Sequence, residues 1–153
     1  MSFSGTSSVA MSDFAYKNID QIKIGENVLG FQLVLDSVNR RPLNISLAIY
    51  ISTRKDELIQ WELSNGQILQ LTGNQQVLGR ANKSPVLHWQ TADKYGDGDT
   101  LESFYGYNPP RTGDYFVDVS IVKKSRLPKQ TVYTLDTITK TYIVNSVAVR
   151  TTY

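Results

Sequence analysis

The chain has 153 residues, which fits a single domain over 1–153 able to bury roughly two-thirds of its unfolded surface. Its 41% hydrophobic and 20% charged residues are ordinary for a globular protein, and a net charge of +2 is too small to point to a nucleic-acid or membrane partner. With no cysteine and one histidine, His88, the sequence excludes disulfides, thiolate metal sites, a cysteine nucleophile and a multi-histidine metal centre.

The N-terminus lacks the apolar run of a signal peptide, and no stretch approaches the roughly 20 apolar residues that span a bilayer. Period-2 alternation dominates from there on. Ile45, Leu47, Ile49 and Ile51 fall on one face of an extended segment, with Asn44, Ser46, Ala48 and Tyr50 on the other, which predicts a half-buried strand with the aliphatic face inward. Residues 57–64 and 67–72 flank Asn65-Gly66, the strongest short hairpin signal, because both turn residues tolerate positive φ. Residues 104–114, with Asn108-Pro109-Pro110, read as a long exposed loop. Beyond it Tyr115, Val117, Val119 and Ile121 alternate in one strand. Asn145-Ser146 separates 141–144 from 147–149 as a second hairpin, in a tail rich in Thr, Val, Tyr and Ile. No segment sustains a 3.6-residue period, so the prediction is an almost wholly β fold with at most one short helical turn, near 19–22 or 90–94.

Several residues that look chemical read more simply. His88 is a surface or packing histidine, and Trp61 and Trp89 are core aromatics. Lys123, Lys124, Arg126, Lys129 and the pair Arg40-Arg41 solvate loops, since no aromatic interleaving accompanies them. Asp97-Gly98-Asp99, with Glu26, Asp93 and Glu102 elsewhere, reads as turn chemistry because it lacks the ligand spacing of a calcium loop. Residues 19–29 and 89–101 echo one another weakly: each has an apolar or small-residue lead, a Gly-acid turn and an outgoing strand.

Three segments in order carry a family pattern: Ser2-Phe3-Ser4-Gly5-Thr6 at the start, Leu69-Gln70-Leu71-Thr72-Gly73-Asn74-Gln75 in the middle, and Val132-Tyr133-Thr134-Leu135 with Thr141-Tyr142-Ile143-Val144-Asn145-Ser146-Val147-Ala148-Val149-Arg150-Thr151 at the end. Together they resemble the Hint family, the self-processing fold of inteins and Hedgehog autoprocessing domains, over nearly the whole chain. The resemblance implies a compact all-β domain of pseudo-twofold halves, with Ser2 and the closing strands drawn together at the centre.

It also implies the roles of particular positions. Ser2 stands where the family has a nucleophilic Cys or Ser that attacks the preceding carbonyl. Thr72 and Gln75 fill the Thr-x-x-His frame, with glutamine in the histidine position. Gln exchanges no proton near neutral pH, so a general-acid contribution of roughly 10²–10⁴-fold is lost. Thr134 replaces an orienting Asp, with Asp136 two residues on; Lys140 and Arg150 replace the later histidines; and Thr151 replaces the terminal Asn, leaving no amide to cyclise.

Two functions follow as expectations. The first is a catalytically degenerate Hint domain with a structural or binding role, in the cytoplasm or in a larger assembly such as a virus particle, with a protein partner, no nucleic acid, no membrane, no metal and no cofactor. The second is an intein-like domain performing an N-terminal acyl shift at Ser2, met in an inactivated form. With Met1 alone ahead of Ser2 and Thr152-Tyr153 after Thr151, the sequence reads as a stand-alone domain that has lost the activity.

Overall fold

The computed structural model describes residues 2–31, 43–104 and 116–151, and of Asn44 the backbone. The predicted loop beyond Phe104, the strand position of Tyr115 and the pair Arg40-Arg41 lie outside the described residues. Twelve strands run through the rest: β1 (Phe3–Ser4), β2 (Ser8–Ala10), β3 (Tyr16–Asn18), β4 (Asn27–Phe31), β5 (Leu43–Leu63), β6 (Ile68–Leu71), β7 (Gln76–Arg80), β8 (His88–Thr91), β9 (Thr100–Phe104), β10 (Phe116–Thr137), β11 (Thr141–Val144) and β12 (Val147–Arg150). The fold is all-β. Short 3-10 turns form at Ile19–Gln21 and Ala92–Lys94, both predicted places, and also at Ala81–Lys83, so the expectation of at most one is exceeded.

The two longest strands set the architecture. β5 and β10 pair antiparallel along most of their length, from Leu63 opposite Ile121 to Ala48 opposite Thr137. β1 is inserted between β10 and β6, with Phe3 opposite Tyr133 on one side and Leu71 on the other. Since β6 also pairs β5, the four strands close a ring that leaves β1 no free edge. Phe3, Trp61, Leu69, Leu71, Leu135 and Tyr142 are buried in the main core around it. A smaller cluster gathers Leu29, Phe31, Leu78, Phe104 and Phe116, with Trp89 half-buried at its margin rather than in the core.

Five backbone hydrogen bonds of one half recur in the other. Ser7 N–H to Ser4 O is matched by Gln75 N–H to Thr72 O, and Asp20 to Gly5 O by Asp93 to Gly73 O. Ile19 to Ser7 O is matched by Ala92 to Gln75 O, and Gly25 to Ala48 O by Gly98 to Ile121 O. Ala48 donates to Glu26 O as Ile121 donates to Asp99 O. Gly25 and Gly98 sit at φ +95° and +87°, which only glycine adopts cheaply, and this is why the sequence echo centres on them. Ser4-Gly5-Thr6-Ser7 and Thr72-Gly73-Asn74-Gln75 are therefore one turn used twice.

Both hairpins form, by different turns. At Asn65-Gly66 only Gly66 has positive φ, and its N–H donates to Leu63 O. At Asn145-Ser146 both residues are left-handed, the geometry of a two-residue hairpin, without a glycine.

From Ile45 to Ile49 the facing of β5 is the reverse of that expected, while beyond the register shift between Ala48 and Tyr50 it is as expected, with Ile51 packed against the core and Tyr50 exposed. Ser46 and Ala48 are fully buried, whereas Ile45, Leu47 and Ile49 face outward. The inner face packs too closely for large side chains. A Cβ on Gly30, opposite Asn44, would overlap Thr139 Oγ1 and lie 3.1 Å from Thr141 O and 3.2 Å from Ser46 Cβ. Ser46 Oγ accepts from both Thr139 N–H and Thr139 Oγ1, so the hydroxyl is satisfied inside.

Candidate active site

Ser2 is fully buried because β1 carries it into the ring. The Thr72 turn grips it twice: Ser2 N–H donates to Thr72 Oγ1 and Thr72 N–H donates to Ser2 O, each at 2.9 Å. Thr72 Oγ1 passes its own proton to Asn74 Oδ1 at 2.8 Å, so toward Ser2 this hydroxyl acts as an acceptor.

The Ser2 side chain meets two groups. Its Oγ lies 2.5 Å from Thr134 Oγ1 and accepts from Arg54 Nη1 at 2.6 Å. The same Nη1 reaches Thr134 Oγ1 at 3.2 Å, and Arg54 Nη2 holds Asp56 Oδ2 at 3.1 Å. Burial tends to raise the Asp56 carboxyl, but the Glu57 N–H and the Arg54 guanidinium outweigh it and hold Asp56 below the usual carboxylate range. Arg54 arrives by register: Val132 pairs with Arg54 on one side and Ser4 on the other. A guanidinium donates only and never accepts, so Arg54 stabilises charge on Oγ without being able to take its proton.

Gln75 is fully buried beside this turn. Its Nε2 donates to Arg150 O at 2.9 Å and Gln76 O at 3.1 Å, which fixes the amide with its NH₂ toward two carbonyls. Its Oε1 is buried without a hydrogen-bond partner. The amide therefore holds an unused acceptor and no spare proton.

The closing residues are bound elsewhere. Thr151 Oγ1 donates to Leu135 O and Thr151 N–H to Lys140 O, each at 2.8 Å. Lys140 Nζ is paired with Asp136 at 2.7 Å. Arg150 Nε donates to Gln76 Oε1 at 2.7 Å, and its guanidinium carbon lies 4.7 Å from the Trp89 ring centroid; burial lowers its pKa. His88 Nδ1 bonds Val86 O. Of the residues singled out from sequence, Ser2, Thr72 and Thr134 are joined directly, Gln75 lies on the Thr72 turn, and Lys140, Arg150 and Thr151 place their side-chain bonds on Asp136, Gln76 and Leu135 rather than on Ser2. Arg54 was missed, as one basic residue among several on a polar stretch of strand. Among the described residues no three His, Asp or Glu side chains are placed to hold a metal ion, and no helix is long and apolar enough to cross a membrane.

No protein-family model matches the sequence, and no curated protein is significantly similar to it. Solved structures match over essentially the whole length. A mutant of an Ssp DnaB mini-intein variant superposes with a TM-score of 0.78 at 13% identity, covering 99% of both chains. The chain has the Hint fold of inteins. A bacterial intein-like domain from Clostridium thermocellum matches this Hint fold at a TM-score of 0.77 and 16% identity over 98% of both chains. A DnaB intein from Synechocystis sp. matches at 0.72 and 14% identity over 99% of both chains. In this Hint fold the Thr72 turn and β12 meet at Gln75, whose two carbonyl partners include that of Arg150.

Proposed function

We propose that the chain is a Hint-fold domain whose self-processing chemistry is arrested and which serves by association, as a structural or binding component of a larger assembly such as a virus particle. Its partner is a protein rather than nucleic acid or a lipid surface. The observation that carries this reading is the Gln75 amide, with both donors spent on backbone carbonyls. An acyl shift at Ser2 forms an Oγ–carbonyl bond, breaks the preceding C–N bond and moves one proton from Oγ to the nitrogen. Thr72 Oγ1 already accepts from that nitrogen's N–H, Arg54 accepts nothing, and Thr134 offers Oγ only another hydroxyl, so none of the groups bonded to Ser2 is a base for the proton.

One observation favours the second reading, an N-terminal acyl shift. The Arg54 guanidinium on Ser2 Oγ is the kind of donor that favours an alkoxide. A fusion decides between them: a folded reporter is placed before Ser2, incubated with and without hydroxylamine, and followed by intact mass over days. The arrested reading expects an intact parent and cleavage on combining Ser2→Cys with Gln75→His. Cleavage of the parent that is abolished in Ser2→Ala overturns it.

A further inference from the structure

The outward face of β5 leaves an aliphatic surface that the described residues do not cover. Ile45 is 70% exposed, Leu47 36%, Ile49 42% and Tyr50 51%, with Ile24 at 66% and Ile138 at 61%. These side chains are neighbours by backbone pairing. Ile138 N–H donates to Leu47 O at 3.1 Å on one edge of β5, so Ile138 continues the β10 pairing beside Leu47. On the other edge Gly25 N–H donates to Ala48 O and Ala48 N–H to Glu26 O, both at 2.9 Å, which sets Ile24 beside Ile49. Directly paired residues share a face. Thr137 and Ala48 are both fully buried, and their successors on this surface, Ile138 and Leu47, both point out.

We infer that Ile24, Ile45, Leu47, Ile49, Tyr50 and Ile138 form a self-association surface that pairs two copies of this chain about a twofold axis. The inference rests on the association reading above and names a surface for it. The open parts of the six side chains amount to about 600 Å² per copy, at the top of the range for a monomer's largest apolar patch. Isologous pairing removes about 1,200 Å² from water, which is where stable interfaces begin. The acid on this face, Asp136 opposite Tyr50, is buried and paired with Lys140, and the six open side chains around that pair are aliphatic or aromatic. Two flanking acids are paired within each copy, Glu26 with Lys17 at 2.8 Å and Asp136 with Lys140 at 2.7 Å, which limits like-charge repulsion between copies.

The test uses the whole chain in sedimentation-velocity and light-scattering measurements over a concentration series. A reversible dimer is expected, with a dissociation constant in the micromolar range, about 1–10 μM. Leu47→Lys with Ile49→Lys should raise that constant at least ~100-fold while leaving the far-ultraviolet dichroism unchanged, because both side chains already face solvent. Ile68→Lys removes an exposed aliphatic residue outside this surface and should leave the dimer intact. Because the chain has no cysteine, Ile49→Cys should give a covalent dimer with a short bis-maleimide, whereas Ile68→Cys should not. A parent that stays monomeric up to about 100 μM overturns the twofold interface, whatever else covers the patch, and so does a dimer dissociated equally by Ile68→Lys. Neither result bears on the arrested chemistry, which the fusion tests separately.

Discussion

Arg54 donates to the Ser2 hydroxyl at 2.6 Å while its second terminal nitrogen holds Asp56 at 3.1 Å. The strand that carries the would-be nucleophile is thereby tied to the long β5–β10 ribbon by a side chain as well as by its ladder. Removing either end should weaken the fold by a similar amount. Arg54→Met and Ser2→Ala are each expected to cost about 1 kcal/mol in urea unfolding, with the double variant losing less than the sum. Strict additivity would show that the contact contributes nothing to stability.

Close backbone approach makes Gly79 intolerant of any side chain. A Cβ there would overlap Thr100 O and lie 3.1 Å from both Leu101 Cα and Leu101 Cδ2, between β7 and β9. Gly79→Ala should cost about 1–3 kcal/mol. A Cβ at Gly96 meets nothing within 4 Å, so Gly96→Ala should be neutral or stabilise by up to about 1 kcal/mol. Thermal denaturation of the pair gives the contrast directly.

At Ser146 the opposite change should help. Its φ of 67° is a left-handed conformation without a glycine, in the turn joining β11 and β12. Ser146→Gly is expected to stabilise by about 0.5–1 kcal/mol, the steric relief exceeding the added freedom of the unfolded chain. An unchanged urea midpoint would show that the turn already bears no strain.

Tyr95 gives the fold an alkaline limit. Its hydroxyl is buried and donates to Val77 O at 2.9 Å, and burial, with the nearby Asp99 charge second, pushes its pKa well above the ordinary tyrosine range. A group whose folded pKa is raised contributes stability that is fully present below its unfolded pKa, about 10, and is lost as pH rises above it. Stability should therefore fall above about pH 10 in the parent. Tyr95→Phe should lose about 1 kcal/mol at neutral pH and show a shallower alkaline decline. Equal alkaline slopes in the two proteins would assign the limit to another group.

What the sequence made legible was local or strictly ordered along the chain. The Asn65-Gly66 and Asn145-Ser146 hairpins were visible because turn chemistry needs no knowledge of what lies across the fold. The Gly25 and Gly98 turns were visible because positive φ selects the same residue in both halves. The inward face of β5 was not legible, since alternation says that two faces differ but not which is buried. On the inward side Thr139, roughly a hundred residues away, bonds the Ser46 hydroxyl where Gly30 and Thr141 also crowd in. Arg54 was hidden for a similar reason. Nothing within Thr53-Arg54-Lys55 distinguishes it until the β10 register sets it beside Ser2.

The pairing of Phe3 with Tyr133 also governs the order in which this molecule can come into being. A ribosome adding about 5–20 residues per second releases the strand bearing Ser2 first and the segment that must flank it many seconds later. Throughout that interval β1 and β5 carry strand edges whose partner, β10, has not yet been synthesised, and such open edges are adhesive. Such long-range pairing places the domain among slow folders, and the strand that flanks the serine is among the last to be made.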